Sequence, residues 1–341
     1  MVKLIIKFLG LALVAGLALG RAGIVQGAPI EVNIPISFTV AYLPLMVMAE
    51  QKLLEKHAAK AGVEVTVEYP RMASAAPKND ALLAGRVQVV PSGPSGLAVM
   101  WDKTKGTPME VRGLFSLSNV PLLLNTRSPN IKSIQDFSDA DRIQVAAVKV
   151  SMQALTLQMA AAKQWGPSQY TRLDRLTVGL SEPDGMAALL SGGEINAAFL
   201  APPYSTWSLS DPRVHTVVDS YDVLGGVTTF QLFYATTKFV QENPRIIRAL
   251  QDALIEANAY IKKDPKGAAA LYLKTNNDTK HTVDDMLQVL NDPKVEFSLV
   301  PKNVKKYVDF MHDVGTLKNK PASWEELFFP VVHELRQQGA S

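Results

Sequence analysis

The sequence predicts an α/β protein of two lobes, and three observations carry that reading. Strand patterns alternate with helix patterns from Glu31 onward, a helix–glycine–strand element near Ala81 comes back near Leu189, and 341 residues at about 100–200 per domain suggest two compact units. With 47% hydrophobic and 20% charged residues, the chain has apolar material for a real core and too few charges for disorder.

The elements follow in order. Val32, Ile34 and Ile36 alternate with Glu31, Asn33 and Pro35, which predicts a strand that Pro35 places near an edge or bend. A loop through Phe38, Thr39 and Tyr42 leads to Pro44, suited to the first turn of a helix over residues 44–60 that closes at Gly62. Residues 63–69 read as a second strand, 78–84 as a helix stopped by Gly85, and 87–90 as a short strand entering a Pro/Ser/Gly loop at 91–96. Such alternation argues for parallel sheets. Ser133 with Asp136 can cap a helix start, residues 143–148 form a strand, and Ser151 opens an Ala/Leu/Met-rich helix ending near Gly166. Residues 189–196 then echo 81–88, and aligning Gly193 with Gly85 gives an offset of 108 residues. In both copies an apolar helix ends at a glycine able to take positive φ, and a short strand leads into a Pro-rich loop. Beyond Tyr234 the chain turns helical. Asn243 and Pro244 suit cap and first-turn positions ahead of Ile247, Leu250, Leu254, Ala257 and Ile261 at helical spacing. Asp264 and Pro265 start another helix, Val304, Tyr307, Val308 and Met311 form one face of a further helix stopped by Gly315, and residues 323–326 read as a capping box for the last.

The first 27 residues read as a secretory signal peptide: Lys3 and Lys7 precede an apolar run of 12 residues (8–19), followed by Val25, Gln26 and Gly27 for cleavage. A spanning helix needs about 20 apolar residues, so the run is too short for an anchor. The mature chain is expected to begin near Ala28 and to work outside the cytoplasm, in the periplasm. With zero cysteines it carries no disulfide framework, thiolate zinc site, iron–sulfur cluster, nucleophilic thiol or lipidated N-terminal Cys. Removing Lys3, Lys7 and Arg21 from the 35 basic residues leaves 32 against 32 acidic ones, a neutral body without the footprint nucleic-acid binding requires.

Catalytic signatures are missing from the sequence. His57, His215, His281, His312 and His333 lie far apart, so no metal site is expected, and no Gly-x-Gly-x-x-Gly, Walker, Gly-x-Ser-x-Gly or His-Glu-x-x-His pattern occurs. Two loops stand out. Residues 92–96 serve equally as a turn or as an anion-binding loop, and Ser151 equally as an ordinary N-cap or as part of an anion site at a helix N-terminus. Both follow predicted strands, where ligands of open α/β sheets gather.

On these stretches the mature chain resembles the nitrate/taurine/aliphatic-sulfonate group of periplasmic solute-binding proteins, which deliver ligands to ABC importers. Residues 42–49 (YLPLMVMA) are similar to that family's first helix start, 81–85 (ALLAG) to its first-lobe helix end, 118–124 (SNVPLLL) to its first crossing between lobes and 150–153 (VSMQ) to the loop opening its second-lobe binding helix. Residues 243–250 (NPRIIRAL) and 315–324 (GTLKNKPASW) resemble its C-terminal helical part. The resemblance implies a type II two-lobe clamshell, each lobe a mixed sheet flanked by helices, with hinge strands near 118–124 and 227–234. Lobe 1 would comprise residues 28–118 plus 228–341, and lobe 2 residues 119–227.

The implied function is capture of a small organic anion, sulfonate-like or carboxylate-like, by a monomer that hands it to a membrane permease without catalysis or cofactor. Ligand would meet Phe38, Thr39, Tyr42, Ser92, Gly93, Ser95 and Asn119 on one side, and Ser151, Met152, Gln153, Pro202 and Tyr204 on the other. Thr228 and Thr229 would stand at the return crossing, with Pro202 and Gly93 the foremost candidates for pure turn residues. Arg71 could supply a fork for the anion, with Lys149 a second candidate. Where family members often carry an acidic residue, this chain has Gln88 and Asn196, and Ala201-Pro202-Pro203 replaces a Trp-Glu-Pro; a missing glutamate removes the obvious partner for a ligand ammonium group. A pyrimidine or thiamin-precursor binder and a ligand-sensing subunit are the alternatives, the pyrimidine synthases of this scaffold being set aside because their cysteine-rich motif is absent.

Overall fold

The computed structural model describes residues 28–72 and 74–338, so the signal segment read from residues 1–27 lies outside the described residues. Strands β1 (Ile30–Asn33) and β2 (Val65–Glu68) pair in parallel. Strand β3 (Val90–Ser92) and β4 (Val111–Asn119) flank β10 (Thr229–Thr236) in an antiparallel sheet. The second lobe is a five-stranded sheet of β5 (Leu123–Thr126), β6 (Ile143–Val145), β7 (Thr177–Gly179), β8 (Ala197–Leu200) and β9 (His215–Asp219), ordered β7-β6-β8-β5-β9. It is mixed: β6 runs parallel to β7 and β8, and β5 antiparallel to β8 and β9. The expected parallel sheets are therefore confined to the pairs joined by helical crossovers, because β4 and β10 run straight out of and back into one lobe as neighbours.

Apolar periodicity explains the C-terminal helices. Helix Pro244–Lys263 buries Ile247, Leu250, Leu254, Ala257 and Ile261 as one stripe, packed on helices Leu43–Glu50 and Leu53–Lys60. Where a single helix is expected over 44–60, the chain breaks at Lys52, which takes φ 50°, and the restart turns Leu53, Leu54 and Ala58 into the core. The strand expected at 87–90 begins later because Gln88 is tied to Asn33, whose N–H donates to the Gln88 amide oxygen at 2.8 Å. Ser133 and Asp136 do form a reciprocal capping box, but over the short 3-10 turn Ile134–Asp136. No such box forms at 323–326, where the 3-10 turn Glu325–Leu327 has no side-chain cap and Pro330 starts the last helix instead. In the repeated element the left-handed glycines are Gly85 (φ 69°) and Gly192 (φ 82°), one residue earlier than the alignment on Gly193. None of the helices among the described residues is long and apolar enough to cross a membrane.

Two passages connect the lobes, β4 into β5 and β9 into β10. A third segment reinforces them: Glu296 and Asn119 exchange backbone hydrogen bonds at 2.8 and 2.9 Å, Ser116 N–H donates to Leu299, and Thr229 N–H to Lys302. The Asn119 side chain, fully buried, accepts from the Thr229 hydroxyl at 2.7 Å and donates to Glu296 at 3.2 Å, while Lys302 pairs with Glu296 at 2.7 Å. Away from the hinge the lobes also touch. Val40 N–H donates to the Pro202 carbonyl at 3.1 Å, and the Trp207 and His281 rings stack at 3.6 Å.

Asn119→Ala is expected to leave the buried Thr229 hydroxyl without its acceptor and to cost about 1–3 kcal/mol in urea unfolding. An unchanged midpoint and slope would show that this network does not hold the hinge.

Candidate functional site

Between the lobes lies a cavity of about 110 Å³. The first turns or N-caps of four helices border it: Ser74, Ala75 and Ala76 from Ala75–Leu83, Gly93 and Ser95 from Pro94–Thr104, Ser151, Met152 and Gln153 from Met152–Trp165, and Glu182 from Glu182–Ser191. Each helix start presents N–H groups without intrahelical acceptors and the positive end of its dipole. Ser74 and Gly93 make no side-chain cap, so those N–H groups are not quenched locally. Four such ends around one small space form a setting for negative charge.

Two ionisable side chains enter the same wall from opposite lobes. Lys78, 2% exposed, donates to the Tyr42 hydroxyl at 2.7 Å and to the Pro91 carbonyl at 3.0 Å, so among the described residues one of its three N–H bonds has no partner. Burial pulls its ammonium down to about 7. Tyr42 passes its own proton to the Gln231 amide oxygen at 2.8 Å, and burial, reinforced by Tyr234 and Glu182, holds its phenol well above the usual range. Glu182, 8% exposed, accepts from Ala201 N–H at 2.7 Å and from the Gln153 amide at 2.9 Å. Burial nevertheless raises its carboxyl to about 7, outweighing those two hydrogen bonds. Thr39 Oγ1 also lies buried at the cavity with no partner among the described residues. Gly93 has ordinary extended backbone; what it requires is closeness, since a Cβ there would stand 2.4 Å from Met152 Cγ of the facing lobe.

The structure brings Thr39, Tyr42, Ser92, Gly93, Ser95, Ser151, Met152 and Gln153 to this cavity. It places the other expected residues elsewhere. Arg71 spends its guanidinium on Asn276 Oδ1 and the Thr275 carbonyl, both at 3.0 Å, at the end of helix Pro265–Thr275, and lies over the Phe38 ring at 4.6 Å. Phe38 is thereby turned from the cavity, and its carbonyl accepts from Tyr272. Lys149 is exposed beside Asp174. Asn119 and Thr229 belong to the hinge network, and Thr228 donates to the Gly226 carbonyl at 3.1 Å. Pro202, joined to Pro203 by a cis bond, meets Val40, and Tyr204, edge-on to Trp207 at 5.8 Å, hydrogen-bonds Tyr272, so both sit on the contact between lobes. Gln88 and Asn196 are structural, the latter bonded to Ser128 and Asp141.

A glutamate, Glu182, and a lysine, Lys78, line the cavity, and Arg71 does not. Both had a signal in the sequence. Lys78 shares a helical face with Ala81 and Leu82, and Glu182 with Gly185 and Leu189, all buried. A charge set on an apolar stripe is a charge carried into the interior. A larger open groove of about 940 Å³ on the outer face of the first lobe, among Pro108, Val240 and Phe329, brings no buried charged group.

A mixed-sheet clamshell with a cavity at the lobe junction is the fold of periplasmic binding proteins. The profile of the NMT1-like family matches residues 27–274, and the chain belongs to that family. Comparison with curated proteins gives no significant match. Among solved structures it is similar to the alkanesulfonate-binding protein of Xanthomonas axonopodis pv. citri bound to MOPS, at 14% identity and a TM-score of 0.67 over 87% of this chain and 98% of that one. The aliphatic sulphonate binding protein of Escherichia coli gives 16%, 0.66, 90% and 100% in the same measures. The nitrate-binding protein of Synechocystis PCC 6803 gives 14%, 0.63, 92% and 89%.

The two buried charges set a pH signature. Lys78 titrates near 7 when folded and near 10.5 when unfolded, so between those values the unfolded chain holds the extra proton and stability rises with pH. Glu182 titrates near 7 folded and near 4.5 unfolded, so there the folded chain holds the extra proton and stability falls as pH rises. In melting temperature against pH, Glu182→Gln is expected to flatten the fall on the acid side of 7 and Lys78→Met the rise on the alkaline side. Profiles parallel to that of the unsubstituted protein would contradict the burial of both charges.

Proposed function

We propose that this protein is the solute-binding component of an ABC importer, closing two lobes around a small organic anion and presenting it to a membrane permease. The observation that carries the reading is the cavity of about 110 Å³ bordered by four helix N-termini and by Lys78. The neighbours named above, which bind alkanesulfonates, aliphatic sulphonates and nitrate, support it. Lobe 1 is taken as residues 28–118 plus 228–341 and lobe 2 as 119–227, with the protein working as a periplasmic monomer after signal cleavage. Thr39, Ser92, Ser95 and the first-turn N–H groups of helix Met152–Trp165 are assigned to the anion, Tyr42 and Gln153 to orienting Lys78 and Glu182, and Met152 to the apolar wall.

No bond is broken. Ligand makes contacts with both lobes only in the closed state, so binding shifts the population toward it. A volume of about 110 Å³ suits a small anion.

A thermal-melt screen of short sulfonates, carboxylates and nitrate tests the reading. Ligand at about 100 times its dissociation constant adds roughly 2.7 kcal/mol, a shift of a few degrees, and is recovered unmodified. Lys78→Met is expected to weaken the best hit at least about tenfold, in line with loss of a charge-assisted hydrogen bond. Gly93→Ala is expected to weaken it as well, by holding the lobes apart at Met152. Undiminished affinity in Lys78→Met would remove the lysine from the site.

A further inference from the structure

We propose that Trp207 is a latch that holds the two lobes together through protein contacts alone, so that the closed arrangement is populated before a solute arrives. The inference goes beyond the proposed function and does not depend on which molecule is carried. Trp207 belongs to the short helix Tyr204–Ser208, which packs on β5 and β8 of the second lobe. Its side chain is nevertheless buried, and groups of the first lobe cover it. The His281 ring lies flat on the indole, with centroids 3.6 Å apart and 11° between the planes, and Tyr272 meets it edge-on at 6.4 Å. The indole N–H donates to the Asp285 carbonyl at 3.5 Å, and one turn earlier Tyr204 hydrogen-bonds Tyr272.

Each half of the latch is fixed from within its own lobe. His281 Nδ1 is bonded to the Asp278 carboxylate at 2.8 Å, and that carboxylate also accepts the backbone N–H groups of Lys280 and His281. The Tyr272 hydroxyl donates to the Phe38 carbonyl, again within the first lobe. On the second lobe Tyr204 props Trp207 edge-on at 5.8 Å. Side chains positioned in advance lose little rotamer freedom when they meet, whereas parting them returns aromatic faces to water. The hinge bonds of Asn119, Thr229 and Glu296 lie at the crossing, where rotation displaces groups least, and the latch lies away from it. Neither Trp207 nor His281 lines the cavity. The latch therefore acts on a solute only through the closed fraction, raising apparent affinity without touching the bound molecule.

The test is small-angle X-ray scattering of the intact protein with no solute added, after unfolding and refolding to strip any carried-over molecule. The unsubstituted protein is expected to show the radius of gyration of this structure, and Trp207→Ala a measurably larger one. Trp207→Phe, which keeps an aromatic face for the His281 ring, is expected to stay near the unsubstituted value, a recovery that mere loss of packing volume would not give. His281→Ala removes the partner from the other lobe and is expected to open the protein as Trp207→Ala does; it decides the matter alone if circular dichroism shows that Trp207→Ala does not fold. An unsubstituted protein as expanded as the variants would overturn the latch, and so would alanine variants as compact as the unsubstituted protein. Because no solute enters the measurement, either result leaves anion capture standing.

Discussion

Lys78 and Glu182 are buried at one small junction with no ion-pair partner among the described residues, and the rest of the structure can be understood from that constraint. A buried ammonium or carboxylate is costly unless hydrogen bonds and a counter-charge compensate it. The protein supplies hydrogen bonds: Tyr42 and Pro91 to Lys78, Ala201 and Gln153 to Glu182. Among the described residues it supplies no counter-charge to either. Both groups accordingly titrate near 7, displaced by burial in opposite directions.

The architecture puts each charge on its own lobe. Lys78 rides on the first lobe beside β3, and Glu182 on a helix packed on β8 of the second, so the two face one cavity from opposite lobes. What lets the lobes approach is local and steric: Gly93 has no Cβ where Met152 arrives. What keeps the approach on track is the hinge, where Asn119 and Thr229 are tied to each other and to the segment around Glu296 and Lys302. The Trp207–His281 stack and the Val40–Pro202 hydrogen bond close the same interface farther out.

Much of this was legible in the sequence because it is local. Pro44, Ser151, Pro244 and Asp264 mark helix starts through caps and fixed φ, and Ser151 and Asp264 do accept the expected backbone N–H groups. The resemblance to periplasmic solute-binding proteins gave the clamshell and its two crossings. What could not be read is tertiary competition for a side chain. Arg71 has the right chemistry for an anion, but a helix C-terminus and the Phe38 ring claim it first. Asn119, Thr228 and Thr229 lie near the crossing, yet Asn119 and Thr229 bond each other and Glu296, and Thr228 bonds the Gly226 carbonyl. Isolated charges in helices usually face water, and only the company of Lys78 and Glu182 on buried faces, with Leu82 and with Leu189, sets them apart.

The most direct test of the account is a crystal structure of the intact protein grown with the tightest-binding small anion. The account predicts density in the cavity between the lobes, with acid oxygens within hydrogen-bond distance of Lys78 Nζ and Thr39 Oγ1. Density instead in the outer groove near Val240 and Phe329, or between the lobes but away from Lys78, would contradict it.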